Sequence, residues 1–398
     1  MGRARKKLKR RKMMMLKIML RRFALFLLCI VAIYVVAAEN VQVKFEKAES
    51  IEVGTEEKKY EKVQATLFGC DISKYVKVEN RVNTKKLGDY EIEYSIFFKK
   101  YTKKVSVIDT QSPTIELIGK KKIYVGNINE YSEKGYTVTD NYDNNITAKE
   151  VKTELCNVAE NHYVMKYEVT DSSGNKGTAE RDIFISDTIV YLTFDDGPGV
   201  KVTPKILDLL LEHDIKATFF VLRFKGNKEK EELIQRMYNE GHTIGLHGYS
   251  HEYPEIYSSL DNITNNFYKL KEDISELTGY NSKIIRFPGG SSNTISRKYK
   301  KGIMTKAAKK LEKEGFVYFD WSLDSDDAGS AKTSEEISLN VISNLKENAE
   351  NVVLMHDSNT HEQTYEALKE IIKCCEEKGY IFKALKSDVT PVRHKINN

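Results

Sequence analysis

Thr193-Phe194-Asp195-Asp196-Gly197-Pro198 follows the apolar run Ile189-Val190-Tyr191-Leu192, so the stretch reads as a strand that ends in a tight turn. Two adjacent carboxylates at a strand end often mark nothing more than that turn. Here four further polar clusters follow, each at the end of its own apolar run. That recurrence decides the fold.

From Ile189 onward, strands alternate with helices. Thr203-Pro204 reads as an N-cap followed by Pro at the first helical position, with Ile206, Leu209 and Leu210 on the apolar face. Ile215 to Leu222 is the next strand, Asn227 caps a helix that ends before Gly241, and Thr243-Ile244-Gly245-Leu246 is a strand again. Further strands are expected at Lys283–Arg286, Phe316–Trp321, Asn351–Met355 and Tyr380–Leu385, with helices at Ser334–Glu347 and Glu362–Lys378 among those between. About seven strands with helical crossovers predict a parallel sheet. Where such a sheet closes into a barrel, chemistry collects at the C-terminal strand ends.

The polar clusters fall at those ends. His247-Gly248-Tyr249-Ser250-His251 places two imidazoles four apart, which face one cation if the segment turns helically. Arg286-Phe287-Pro288-Gly289-Gly290 offers glycines that let a backbone approach a ligand closely. Asp320-Trp321-Ser322-Leu323-Asp324-Ser325-Asp326-Asp327 is rich in carboxylates, and Leu354-Met355-His356-Asp357 ends an apolar strand on a histidine.

With these five clusters in this order, the segment from 188 to 386 resembles a polysaccharide deacetylase of the NodB-homology type (carbohydrate esterase family 4), about half of the chain. The resemblance implies an α/β distorted (β/α)7-type barrel. It implies that Asp195 is the general base and Asp196 a metal ligand, joined by His247 and His251. Arg286 would orient the base, the backbone N–H of Gly289 would meet the oxyanion, and Leu354 would line the acetyl pocket. His356 would be the general acid, tethered by Asp327, with Asp324 as the rival. A half-open shell of two His and one Asp leaves positions for water and a carbonyl oxygen. Zn2+ suits it best, and Co2+, Ni2+ or Fe2+ would also fit. Two departures stand out. Gly248 replaces the usual Ser or Thr after the first His, where Ser250 could supply the lost loop hydrogen bond. Ala328 replaces the Trp that usually follows the fourth motif's Asp, so an aromatic wall of the groove is expected to be missing.

Upstream, residues 41–187 carry short alternating segments with a weak internal repeat. Gly88-Asp89-Tyr90-Glu91-Ile92-Glu93-Tyr94 leads to Val105-Ser106-Val107-Ile108-Asp109, and Asn161-His162-Tyr163-Val164-Met165-Lys166-Tyr167 leads to Ile183-Phe184-Ile185-Ser186-Asp187. This pattern predicts two small antiparallel all-β sandwiches, 41–110 and 111–187. The second resembles bacterial Ig-like repeats, through Pro113–Leu117, Gly135–Asp140 and Tyr167–Asn175. A spacer role is expected for both.

The extreme N-terminus is different again. Residues 1–38 hold eleven Lys or Arg and no acid, so the +5 of the whole chain falls to −6 for the remainder. That remainder offers no footprint for nucleic acid. A basic tail, 1–22, precedes the uncharged run Phe23–Ala38, which orients whatever follows to the outer side. We read 23–38 as an uncleaved transmembrane signal-anchor, with secretion after cleavage at Val36-Ala37-Ala38 as the alternative. The five cysteines show no metal or disulfide spacing.

The expectation is therefore a single-pass membrane protein with an extracellular, metal-dependent catalytic domain (188–386) and a short C-terminal tail (387–398). Its expected reaction is N-deacetylation of a cell-wall glycan, foremost peptidoglycan N-acetylglucosamine. The alternatives are chitin-like or poly-N-acetylglucosamine chains, O-acetylated xylan, or a surface polymer-binding protein with a weak catalytic domain.

Overall fold

Eight strands form one curled sheet in which every pair of neighbours runs parallel among the described residues. They are β1 (Ile189–Asp195), β2 (Thr218–Val221), β3 (Thr243–Leu246), β4 (Ile284–Ile285), β5 (Val317–Tyr318), β6 (Leu323–Asp324), β7 (Glu350–His356) and β8 (Ile381–Phe382). The order is β5-β4-β3-β2-β1-β7-β6, and β8 pairs with the beginning of β1. The structure is a computed structural model that describes residues 2–45, 50–56, 63–144, 146 and 151–397. Parts of the two expected sandwiches, at 46–49, 57–62, 145 and 147–150, lie outside the described residues.

β1 shows how sequence becomes site. Its residues from Val190 to Asp195 are all buried, as a parallel strand covered on both faces requires. Val190, Leu192 and Phe194 pack into the larger core with Ile206 and Leu210 of the helix Thr203–Glu212. Tyr191 joins Phe220, Ile284, Phe319, Val352 and Leu385 on the other face. Alternation along a strand puts Thr193 and Asp195 on the Tyr191 face. Each fully buried Phe contributes about 1.5–3 kcal/mol, so the strand's register is held by its apolar residues while two polar ones enter the interior. The pairing Asp195↔His356 then brings the ends of β1 and β7 side by side.

Several boundaries differ from the sequence reading. The helix at 203 has Val202 as its N-cap, with Pro204 in the first turn. Thr203 does not cap it, because its hydroxyl donates to Asp357 Oδ2 (2.5 Å) and accepts from Gly199 N–H (2.8 Å). Asn227 does cap Lys228–Asn239 through Lys230 N–H, and Thr333 with Glu336 forms a reciprocal capping box at Ser334–Asn344. β6 was not foreseen. The boundary at 386 also shifts, because the stretch beyond it is pinned to the barrel: Asp320 N–H donates to Val392 O (2.9 Å), and Val389 and Val392 pack on the Tyr191 cluster.

By its internal contacts the chain divides into two compact units: Met1–Gly119 with Lys134–Glu154 and Lys166–Glu180, and Lys120–Glu133 with Leu155–Met165 and Arg181–Asn398. In the first, the strands Gly88–Ile96 and Lys99–Ile108 form a long hairpin flanked by Lys77–Asn80 and Ser50–Glu52. Ile92, Tyr94, Val105 and Val107 fill its core. Tyr94 and Tyr167, the closing tyrosines of the two repeat copies, are both fully buried. The Asp171–Asn175 turn closes on its own carboxylate, which accepts the N–H groups of Ser173 (2.9 Å) and Asn175 (2.8 Å). Ahead of the hairpin lies a helix, Gly2–Glu39, that extends well beyond the 16-residue apolar run. It is long and apolar enough to cross a membrane, and the protein buries none of its apolar window. All five cysteines are free.

Candidate active site

Arg286, at the end of β4, is completely buried and fully engaged. Its guanidinium donates to Phe319 O (3.0 Å), Thr193 Oγ1 (2.7 Å), Asp195 Oδ1 (2.8 Å) and Asp320 O (3.0 Å). It also lies over the Phe220 ring, 4.2 Å from the centroid. A planar fork held at this many points cannot swing, so it fixes one oxygen of Asp195 and leaves Oδ2 facing His247 Nε2 at 3.8 Å.

Asp196, at φ 68, turns the chain out of β1. Its Oδ1 lies 3.4 Å from His247 Nε2 and 3.7 Å from His251 Nε2, and it is buried without a hydrogen-bond partner. The ligand atoms of Asp196, His247 and His251 all lie within 4.8 Å of one another. His247 Nδ1 is 3.0 Å from Arg286 O. That carbonyl can only accept, so Nδ1 carries a proton and, in the neutral ring, Nε2 presents its lone pair inward. The two imidazoles converge without a helical turn: 247–251 is a loop, folded by Gly248 at φ 143. Burial works against a charged His247, yet the carboxylates of Asp195 and Asp196 raise its pKa. Burial and the neighbouring His247 lower that of His251. Burial works to raise the Asp196 pKa, but the charges of the facing His247 and His251 pull it well below the carboxylate range.

Across β1, His356 ends β7. Its Nδ1 meets Asp327 Oδ1 at 2.8 Å, and its backbone N–H donates to Asp327 Oδ2 at 2.7 Å. Thr364 Oγ1 also donates to Asp327 Oδ2 (2.7 Å). Although burial opposes the charge, the Asp327 hydrogen bond and charge push the His356 pKa up to about 9. Asp324 takes no part: its carboxylate accepts Asp326 N–H at 2.9 Å. Leu354 lies on β7 two residues before His356 and is buried. Gly289 sits at φ 75, and a Cβ there would meet Tyr253 Oη at 3.2 Å.

Four residues near these groups escaped the sequence reading. Tyr253 packs its ring 5.1 Å from that of His251. His361 stacks on His356 at 5.1 Å with 23° between ring planes. Asp320 is buried and accepts Ser291 N–H (2.8 Å), Ser291 Oγ–H (2.5 Å) and His394 N–H (2.8 Å), so it braces the loop after Arg286. Asp357 bonds Thr203 and donates its N–H to Asp195 O (3.2 Å). Asp320 and Asp357 lie within the fourth and fifth polar clusters without a role being assigned to them, whereas Tyr253 and His361 carried no sequence signal.

The departures have physical reasons. At Gly248 a side chain would collide with Asn266 Nδ2. Asn266 holds this loop through Ser250 N–H (2.7 Å), Ser250 O (3.0 Å) and Tyr249 N–H (3.0 Å). The Ser250 hydroxyl instead bonds Glu255 (2.8 Å). At the fourth motif Ala328 leaves the position small, and Trp321 packs instead against Gly290 and the His394 ring.

Comparison with known proteins supports the fold and the family. Residues 185–307 match the polysaccharide deacetylase family model, and residues 115–185 match that of the bacterial surface protein Ig-like domain. YheN of Bacillus subtilis, provisionally named a polysaccharide deacetylase, is 35% identical over 213 residues, covering 52% of this chain and 71% of that protein. A Bacillus cereus peptidoglycan-N-acetylglucosamine deacetylase is 35% identical over 204 residues, 49% of this chain and 68% of its own. The crystal structure of the catalytic domain of a peptidoglycan N-acetylglucosamine deacetylase from Eubacterium rectale is 38% identical with a TM-score of 0.50, covering 53% of this chain and 94% of that one.

Proposed function

We propose, on the premise that this chain belongs to the polysaccharide deacetylase family, that it removes N-acetyl groups from a cell-wall glycan, namely the N-acetylglucosamine of peptidoglycan. The observation that carries this reading is the meeting of three assemblies at one end of the sheet. These are Asp195 on Arg286, the Asp196–His247–His251 group, and His356 on Asp327. The substrate is inferred from what the Bacillus cereus and Eubacterium rectale relatives are named for.

The donor set fits a divalent metal. Asp196 Oδ1 is a buried, unpartnered carboxylate oxygen facing two imidazole nitrogens, and an oxygen so placed costs about 1–3 kcal/mol or more unless something satisfies it. Two His and one Asp suit Zn2+, and Co2+, Ni2+ or Fe2+ are compatible with the same ligands. When bound, such an ion lowers the pKa of water and polarises a carbonyl.

The chain's own residues supply the proton transfers. Amide hydrolysis forms a C–O bond from water, breaks the C–N bond, and delivers a proton to the departing amine. Asp195 is the base, its second oxygen left available because Arg286 holds the first. His356 is the acid. With a pKa of about 9 it carries its proton at neutral pH, and Asp327 on Nδ1 directs Nε2–H toward the substrate. Gly289 N–H is the oxyanion donor, and Leu354 bounds the acetyl pocket. We further infer that Gly2–Glu39 is retained as an anchor and that the catalytic unit works outside the membrane; the length and apolar character of the helix support this.

The test is acetate release by the full-length protein from peptidoglycan, N-acetylglucosamine oligomers and acetylated xylan, with chelator and with added zinc. Zinc-dependent release from peptidoglycan that disappears in Asp195→Asn supports the proposal. Release from the oligomers or xylan alone moves the substrate to another polymer. Polymer binding without release from any of them favours a binding protein.

A further inference from the structure

One end of the first unit carries phenylalanines where water-exposed turns rarely place them. In the hairpin Gly88–Ile96/Lys99–Ile108, Ile96 pairs with Lys99, so Phe97 and Phe98 form the tip. Phe98 is 79% exposed. The neighbouring hairpin pairs Leu67 with Cys70, so Phe68 and Gly69 form its tip, and Phe68 is 70% exposed. Phe97 and Phe68 both sit at positive φ, 52° and 50°. A bulky side chain there is strained by about 1–2 kcal/mol, and Gly or Asn would fill such a turn at less cost. At Phe68 burial offsets little of this strain, because its ring is mainly in solvent, as is that of Phe98.

Both tips lie at the end where the N-terminal helix joins the domain. Val41, just after the helix, pairs with Leu67, the residue before Phe68. Val41 also shares a buried cluster with Ile96, the residue before Phe97. Tyr34 of the helix makes the connection directly: its ring lies 5.3 Å from Phe97 and 5.2 Å from Phe98. Tyr34 is five residues short of the helix end at Glu39, about 7–8 Å along the axis at 1.5 Å per residue. That is the interfacial depth at which Tyr and Trp accumulate in spanning helices.

We propose that the Phe97-Phe98 tip, with Phe68 beside it, inserts into the outer face of the lipid bilayer as a second membrane contact. The helix holds the tip at headgroup depth, and the rings then leave water. Lys99 flanks the rings on the next strand, where a cation meets lipid phosphates; Lys100 beside it is paired with Glu93 (2.6 Å). The inference rests on the reading of Gly2–Glu39 as a retained anchor. Its consequence is positional: two contacts fix the tilt of the first unit on the membrane, where a single helix would leave it free to swing.

The experiment uses the full-length chain in vesicles of phosphatidylcholine and phosphatidylglycerol, with and without lipids brominated near the top of the acyl chains. The protein has one tryptophan, Trp321, which sets the background. Phe98→Trp and Tyr34→Trp are compared with the parent, each first checked for an unchanged melting temperature in detergent. The expected result is that both introduced tryptophans lose most of their added emission to the bromines. Quenching at Tyr34→Trp without quenching at Phe98→Trp overturns the proposal while leaving the anchor intact. A blue-shifted but unquenched Phe98→Trp also overturns it, in favour of contact with a second copy. If neither is quenched, the anchor reading fails and the proposal falls with it.

Discussion

Asp327 holds His356 twice, through Nδ1 (2.8 Å) and through the backbone N–H (2.7 Å), so one carboxylate fixes both the ring and the chain that carries it. Because the pKa of His356 is raised to about 9 against burial, the alkaline limb of kcat/KM should lie near pH 9. In Asp327→Asn that limb should move down toward the ordinary histidine value of about 6.5, since burial is then opposed only by the more distant charges of Asp195 and Asp196. Stability should follow with matching sign. The raised histidine stabilises the fold fully below about pH 6.5, and that contribution is lost as pH rises to about 9. His356→Ala should reduce turnover about 100- to 10,000-fold. An unchanged pH profile in Asp327→Asn would remove Asp327 from this role.

Arg286 and Asp195 are buried together. Arg286→Met leaves an uncompensated carboxylate and should destabilise by about 3–5 kcal/mol, measured by denaturant unfolding in chelator. Arg286→Lys keeps the charge but cannot reach Phe319 O, Thr193 Oγ1, Asp195 Oδ1 and Asp320 O together. It should be less destabilised than the Met variant and still lose turnover. Equal stability of the two variants would show that the geometry of the fork, rather than its charge, holds the pair.

Metal removal should be visible in stability as well as in activity. A ligand at 100 times its dissociation constant stabilises by about 2.7 kcal/mol, so chelation should lower the melting temperature and zinc should restore it. Asp196→Asn and His247→Ala should abolish the zinc-dependent shift. A variant that keeps the full shift is not a ligand.

The sequence made the catalytic framework readable because its polar residues sit at the ends of apolar strands. Val190, Leu192 and Phe194 announce β1, and β1 sets where Asp195 must fall. What stayed hidden depends on residues distant in the chain. β6 is two residues long and exists because Leu323 and Asp324 pair with Val353 and Leu354. The resemblance favours Asp327 with Asp324 as its rival, and the fold separates them by bringing Asp327 to His356 while Asp324 turns to Asp326. Gly248 looked like a defect until Asn266, from another helix, occupied the space a side chain would need.

That last contact yields a counterintuitive expectation. Gly248→Ser would install the residue type usual after the first histidine, yet it should destabilise this protein. The position combines φ 143 with a collision against Asn266, and strain of this kind costs about 1–3 kcal/mol. Gly248→Ser combined with Asn266→Ala should recover part of that loss. Full stability in the single variant would mean that the loop relaxes freely.

The stretch after residue 386 should prove part of the catalytic unit. His394 donates its N–H to Asp320 Oδ2 (2.8 Å), and its Nε2 meets Trp321 O (2.7 Å). Asp320 in turn holds Ser291 in the loop that carries Gly289. Truncation after Lys386 takes a hydrogen bond from a buried carboxylate, worth about 1–3 kcal/mol, and uncovers the apolar surface under Val389 and Val392. The truncated protein should melt lower and, where it folds, turn over more slowly with metal affinity unchanged, because no ligand touches the strap. His394→Ala keeps the backbone donor and should therefore retain most of the stability. If truncation instead weakens zinc binding as strongly as turnover, the strap acts on the metal group and not on the loop after Arg286.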